Sequence, residues 1–503
     1  MSDKSGQPTD APSGKIPFSK NLAYAIGGFP DFFPYNLFYI YFLFFFTDVA
    51  GFDPGVGGTI CMIVIIWDAV TDPLVGYLSD NSKSKRGRRR PFMAAALIPL
   101  AVTTVMLFSA FETSPRGAFF YYLIVGLLLW TFYTMYDIPY YALGAELTDD
   151  FDERGHMRIL LGIPIFIAGW LEYAGPMFIW DWVSKLGRDK YLWMNSDQFA
   201  WFLSALILET IAVASGYYCI RKTKGTELID RDPERAALNM TSGKQFIKNY
   251  MELCRNRAVK WLSFFAATGS LVFSIAQGSF VYLMANNLGL SESMQGTYWT
   301  LDAVISLAHL PLMNYVSRRF GKKQCMLLYT LIACTGCLAF YFIGIASFLY
   351  LCMYATCFLF FSTSFWTVGT ALVLDCCEVD EFLTGQRREA AIQGVVSFAM
   401  KAGAAIGTFF NGWLLKLAGY DGMAQEQTAG TLHGILALNT LVPAVMLIVT
   451  GLFLVMYPIN KKNYNLLLNA LAQKKEGKPY STEGFEKLLP ANFDHGHTLT
   501  RQA

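Results

Sequence analysis

The chain has 503 residues, 54% hydrophobic, 16% aromatic and only 16% charged, which excludes a soluble protein of ordinary domains and assigns the chain to a membrane. Its formal net charge of +2 is too near zero to indicate a nucleic-acid partner, so the placement of charge matters more than its sum. Residues Met1 to Phe18 are polar and lack an apolar signal core, so no cleaved targeting segment is expected.

Apolar runs of about 20 residues, enough to cross a bilayer, predict twelve helices. The first six are Asn21 to Phe46, Gly55 to Leu78, Phe92 to Phe111, Ala118 to Ala145, Arg158 to Trp182 and Phe199 to Ile220. A polar stretch, Arg221 to Val259, divides the chain near its middle. The second six are Lys260 to Ala285, Met294 to Val316, Cys325 to Ala346, Phe348 to Leu374, Gln393 to Leu417 and Gly430 to Tyr457. The expected organisation is an N-terminal segment 1–19, a first bundle 20–220, a linker 221–259, a second bundle 260–458 and a polar tail 459–503.

Lys and Arg cluster in alternate connections: Lys83 to Arg90, Arg154 with Arg158, Arg221 to Lys224, Arg318 to Lys323, and Arg387 with Arg388. The positive-inside rule makes these loops and both termini cytoplasmic. Lys185, Arg188 and Lys190, between spans five and six, run against this pattern.

Within span two, Asp68 and Asp72 stand one helical turn apart in an otherwise apolar run. A carboxylate at mid-membrane costs roughly 2.5 to 3.5 kcal/mol on insertion scales, so such acids face a polar cavity or bind a cation. Their spacing puts both on one face, where like charges repel unless a proton or metal ion lies between them, and this points to cation-coupled transport. The bland alternative is a pair satisfied by neighbouring hydroxyls or Arg.

The two halves echo each other. Span two reads Ile66-Trp-Asp-Ala-Val70 and ends in Ser79-Asp80 before a basic stretch, and span eight reads Leu301-Asp-Ala-Val304 before Ser317-Arg-Arg-Phe-Gly-Lys-Lys323. Spans four and ten both end in acidic loops ahead of Arg, Thr148 to Arg154 and Asp375 to Arg388. The expected fold is therefore an all-α membrane protein whose twelve transmembrane helices form two pseudo-symmetric six-helix bundles around a central cavity. Asp80, Arg88, Arg154, Arg387 and Arg388 become candidates for cytoplasmic ties made in one state and broken in the other, or for charges that only set orientation.

Other chemistry-bearing residues read more plainly. The ten cysteines lack disulfide or zinc spacing, and Cys334-Thr-Gly-Cys337, inside an apolar helix, reads as packing rather than redox chemistry. Asp494-His-Gly-His497 reads as solvated tail. No nucleotide loop, paired-histidine metal motif or nucleophile elbow is present to suggest an enzyme or sensor.

Phe45-Phe-Thr-Asp-Val-Ala-Gly51, Trp67-Asp-Ala-Val-Thr-Asp-Pro73, Gly76-Tyr-Leu-Ser-Asp80 with Arg86-Gly-Arg88, Asp137-Ile-Pro-Tyr-Tyr-Ala-Leu143, and Thr384-Gly-Gln-Arg387 leading to Lys401-Ala-Gly resemble the glycoside-pentoside-hexuronide:cation symporter family. That family, typified by the melibiose permease, belongs to the major facilitator superfamily. The resemblance runs through spans one to eleven in order. It implies a major facilitator fold, no enzymatic activity and no cofactor beyond a coupling ion, which is H⁺ or Na⁺ with Li⁺ as a further option. The implied partners are a small sugar or glycoside and the lipid bilayer, with a monomeric protein in the bacterial inner membrane.

The family's coupling-ion site carries over to Asp68, Asp72 and Thr134, which would hold Na⁺ if that is the ion, with Thr71 where the melibiose permease has Asn. Loss of that amide tilts the expectation slightly toward H⁺. The family's sugar site carries over to Asp31, Asp137, Tyr141, Trp366 and Lys401. The chemistry agrees: carboxylates accept from vicinal hydroxyls, an aromatic face covers a pyranose, and the lysine offsets negative charge. Pro30 replaces a family Lys, and the family's span-five Arg aligns with Gly162, leaving Arg158 a turn away. Asp302 is an extra acid, readable as a second proton site or as a partner of His309. Pro139, two residues after Asp137, predicts local irregularity in span four. A lysolipid or other amphiphile carrier of the same superfamily is the alternative that Asp31 and Asp137 argue against.

Overall fold

The computed structural model describes residues 17–82, 84, 87–147, 151–226, 252–253, 256–386 and 388–489, with backbone alone at 145, 151–161, 163 and 390. The first span is not one helix. It runs as α1 (Phe18–Ile26), α2 (Phe29–Asn36) and two π-helical segments, Leu37–Phe42 and Phe45–Val49. Gly27 and Gly28 separate the first two pieces, and Pro34 cannot donate the next turn's hydrogen bond. Four uninterrupted helices follow: α3 (Pro54–Asp80), α4 (Arg90–Leu107), α5 (Pro115–Glu146) and α6 (Phe151–Ser184). A hairpin of β1 (Lys190–Tyr191) and β2 (Met194–Asn195) fills the exceptional basic loop before α7 (Ser196–Lys222). The irregularity expected at Pro139 is absent: α5 continues as α-helix through it, and the broken element is the first span instead.

The second half repeats the plan. It comprises α8 (Arg257–Tyr282), α9 (Glu292–Phe320), α10 (Lys322–Ile343), α11 (Phe348–Thr384) and α12 (Glu389–Leu417). The last span is α13 (Ala429–Asn439) and α14 (Leu441–Met456). Like the first span, α8 ends in a π segment, Leu283–Asn287. The break before α14 follows from Pro443, whose missing N–H leaves the Asn439 carbonyl to accept the Tyr354 hydroxyl. The tail also holds structure: α15 (Lys461–Lys475) starts at an Asn460 capping box, and Lys475 pairs with Glu381 at 2.7 Å.

Nine helices among the described residues are long and apolar enough to span a bilayer unaided. The other three spans are the broken first one, α6 with its partly described start, and α9, which carries Asp302, His309 and Asn314. The twelve spans form the two six-helix bundles of a major facilitator fold. Between bundles, α3 packs on α12 and α6 on α9. The α3–α12 approach depends on glycine, since a Cβ on Gly412 would clash with the Pro54 carbonyl and lie 2.8 Å from the Gly58 Cα. Around this crossing one end is sealed. Thr47 and Tyr282 share a 2.7 Å hydroxyl bond, Tyr420 donates to Asp48, Lys416 pairs with Asp53 at 3.0 Å, and Trp413 donates to Thr59 at 3.2 Å.

Candidate functional site

The helical register of α3 stacks Asp68 over Asp72, and α5 packs beside it to bring in Thr134. The Thr134 hydroxyl lies 2.8 Å from Asp68 Oδ1 and 3.3 Å from Asp72 Oδ1. Thr71 donates to the Asp68 carbonyl at 3.0 Å and lies 3.2 Å from the Thr134 hydroxyl. Asp68 is fully buried. The result is a compact set of hard oxygen atoms, the donor type that suits Na⁺ or Li⁺ and, at a carboxylate, H⁺.

Lys401, on α12 of the other bundle, enters this site. Its Nζ lies 2.5 Å from Oδ2 of both Asp68 and Asp72. The sequence reading set Lys401 beside Asp31 and Asp137; the direct contacts are instead with the span-two pair, while both other acids stay within its Coulombic reach. Four carboxyl groups thus share one ammonium in a low-dielectric cluster, so the charge is uncompensated unless further cations or protons enter.

Asp31, on α2, accepts from Tyr133 at 2.6 Å and from Tyr141 at 2.8 Å, both on α5. Asp137 Oδ1 is buried with no hydrogen-bond partner among the described residues, leaving a strong acceptor for a ligand hydroxyl. Trp366 lies elsewhere, in a cavity of about 270 Å³ bounded by α6, α8, α9 and α11. Asp302 lines the same cavity and accepts from Tyr298 at 3.4 Å. The suggested Asp302–His309 pair does not form: the His309 ring packs on Phe360 and Tyr329, and its Nε2 has no hydrogen-bond partner among the described residues.

Among the described residues, the ion pairs of the basic loops tie helices within a bundle. Arg88 pairs with Glu146 at 2.6 Å and donates to the Asp80 carbonyl at 3.4 Å, while the Asp80 carboxylate pairs with Arg89. Arg388 grips Asp380 through two bonds of 2.8 and 2.9 Å and reaches Glu252 at 3.2 Å. The bonds to Asp380 push its pKa further above the ordinary arginine value. Arg387 and the Asp494 to His497 motif lie outside the described residues, and the side chains of Arg154 and Arg158 outside the described side chains. Cys334 and Cys337 are buried free thiols.

Sequence reasoning missed Tyr133 at the site and two buried glutamates elsewhere in the first bundle. Tyr133 sits one turn before Asp137 on the same face of α5, a spacing that could have flagged it. Glu172 is buried in α6 and accepts from Asn36 at 2.5 Å, and Glu209 is buried in α7. The burial cost that singled out Asp68 applies equally to these two glutamates.

The family match defines a secondary transporter of the sugar type. Residues 23–461 match the family described as MFS/sugar transport protein, and the chain belongs to it, within the glycoside-pentoside-hexuronide:cation symporters of the major facilitator superfamily. It is 27% identical over 464 residues to the uncharacterized symporter YnaJ of Bacillus subtilis (strain 168), covering 92% of this chain and 96% of the relative. It is 25% identical over 464 residues to the glucuronide carrier protein homolog of Escherichia coli (strain K12), covering 90% and 95%. The crystal structure of a D-xylose-proton symporter superposes with a TM-score of 0.56 at 15% identity, covering 85% of this chain and 97% of that one, which speaks to the fold. The chain is accordingly a multi-pass inner-membrane protein.

Proposed function

We propose that the protein imports a sugar, glycoside or hexuronide by symport with H⁺ or Na⁺, through alternating access of its two bundles. The observation that carries this reading is the Lys401 ammonium held between Asp68 and Asp72 from the opposite bundle. A coupling ion entering among these oxygens competes with the lysine, so loading of the ion and release of an interbundle tie become one event. The sugar site is Asp31, Asp137 and Tyr141, next to the ion site and sharing the field of Lys401, which couples the two ligands electrostatically. The glucuronide carrier homolog in Escherichia coli supports a sugar-derived substrate. With the basic loops on the cytoplasmic side, the sealed end is extracellular and the described conformation faces inward.

The test is uptake into proteoliposomes of a panel of monosaccharides, disaccharides, pentosides and uronates, with an inward H⁺ or Na⁺ gradient applied separately. Accumulation above equilibrium that collapses with the matching ionophore supports symport and names the ion. Turnover of a substrate that ignores both gradients would point to a membrane enzyme instead.

A further inference from the structure

An aromatic cavity opens between the two bundles, walled by α6 of the first and by α8, α9 and α11 of the second, and none of Asp31, Asp68, Asp72 and Asp137 lines it. Its walls include Tyr173, Phe280, Tyr298, Trp299 and Trp366, and among the described side chains its single carboxylate is Asp302. No Lys, Arg or His among the described side chains lines it. At about 270 Å³ it falls just below the ~300 Å³ at which pockets for drug-sized ligands begin, which leaves room for about one ring. Two of its bounding helices, α8 and α11, carry spans seven and ten, which stand in the second bundle where spans one and four, carrying Asp31 and Asp137, stand in the first.

Asp302 occupies the repeat position of Asp68, in Leu301-Asp-Ala-Val304 against Ile66-Trp-Asp-Ala-Val70. Its surroundings differ. Asp68 has a lysine and a threonine, whereas Asp302 has one long bond from Tyr298 and a ring of aromatic faces. A carboxylate so weakly engaged retains most of its acceptor capacity, and the faces around it offer stacking surface to a flat or pyranose ring.

We propose that this cavity is a subsite for an uncharged ring of the substrate, a neutral glycosyl or aryl group, with Asp302 as hydrogen-bond acceptor and as the charge that rejects carboxylate- or sulfonate-bearing substrates. The proposal rests on the sugar-transport reading and narrows its substrate class to neutral glycosides. An anion placed beside Asp302 meets a like charge with no cationic side chain among the described side chains of the walls, and such juxtaposition is strongly unfavourable.

The experiment uses the full chain in proteoliposomes with para-nitrophenyl β-glucoside, para-nitrophenyl β-galactoside and para-nitrophenyl β-glucuronide as probes. Ser362→Cys places a thiol in the cavity wall, and its N-ethylmaleimide labelling is read against the parent protein. The neutral probes are expected to slow labelling, with the glucuronide weaker by at least about tenfold, and Asp302→Asn in the same background should erase most of that gap. Quenching of tryptophan fluorescence in the parent protein gives the same ranking without any substitution, because Trp170, Trp299 and Trp366 line the cavity. Equal protection by the glucuronide, no protection by either neutral probe, or a gap unchanged by Asp302→Asn would each overturn the proposal. Loss of ion coupling in Asp302→Asn with selectivity intact would overturn it too, making Asp302 a proton site. Protection by neutral probes without gradient-driven accumulation would instead sink the symport reading and leave the subsite standing.

Discussion

Lys401→Ala removes the ammonium that sits 2.5 Å from both Asp68 and Asp72 and leaves two carboxylates one turn apart in a buried site. Truncating one partner of a buried ion pair costs ~3 to 5 kcal/mol, and the two contacts share one charge, so their effects do not simply add. The same vacancy in charge strengthens the site's pull on a coupling ion, because the ion no longer competes with a tethered cation. One tenfold step in affinity is about 1.4 kcal/mol, so even half of the lower figure corresponds to a tenfold tighter ion. Calorimetric titration of the purified protein with NaCl, LiCl and acid, in parallel with uphill uptake, measures both consequences. Lys401→Ala should bind its ion at least about tenfold more tightly than the parent and fail to accumulate substrate, while Lys401→Arg, which keeps the charge, should lie between them. Unchanged ion affinity together with normal accumulation in Lys401→Ala would refute the competition argument, since it would show that the ammonium contributes nothing where the structure places it.

Asp68→Asn and Asp72→Asn should each abolish accumulation while allowing downhill exchange, because an amide cannot alternate between loaded and empty charge states; concentration of substrate to parental levels by both would dismiss the ion site. Thr134→Ala removes a hydroxyl oxygen that lies 2.8 Å from Asp68 Oδ1, so it should weaken binding of Na⁺ or Li⁺ by loss of an oxygen ligand but tighten binding of H⁺ by loss of a donor to the carboxylate, with ion-free sugar binding unaltered. Asp137→Asn should weaken sugar affinity by a similar ~1.5 to 3 kcal/mol and spare the ion titration; the opposite pattern would transfer Asp137 to the ion site. Gly412→Ala forces a Cβ against the Pro54 carbonyl, so accessibility labelling should show the sealed end opening more often; labelling identical to the parent would mean the α3–α12 crossing can relax around a methyl group.

Much of the architecture was legible from local properties of the chain. Hydropathy marked the spans, and the burial cost of Asp68 and Asp72 singled that pair out without knowledge of any neighbour, whereas Asp31 and Asp137 came from the family resemblance and Asp302 from the repeat of the span-two pattern in span eight. Glu172 and Glu209 carried the same signal and went unread. Helix continuity was harder to read, because a proline's effect depends on its surroundings: α5 absorbs Pro139, whereas Pro443 ends a helix whose freed carbonyl finds the Tyr354 hydroxyl.

The order of apolar and polar residues by itself determined that this is a twelve-span membrane protein in two related halves with acids in its interior, because these are properties of short stretches and their spacing. Tertiary structure alone decided which charges meet. Lys401 lies 329 positions from Asp72, and whether it reaches that pair or Asp31 turns on the rotation and close approach of α12 against α3, made possible where Gly58 meets Gly412. His309 stands two turns from Asp302 on the same helix, yet its ring packs among aromatic side chains of α10 and α11 while Asp302 opens onto the cavity. The physical reason is the same in both cases: a side chain's partner is set by helix packing, whose angles and depths are distributed over many weak contacts and leave no local mark in the sequence.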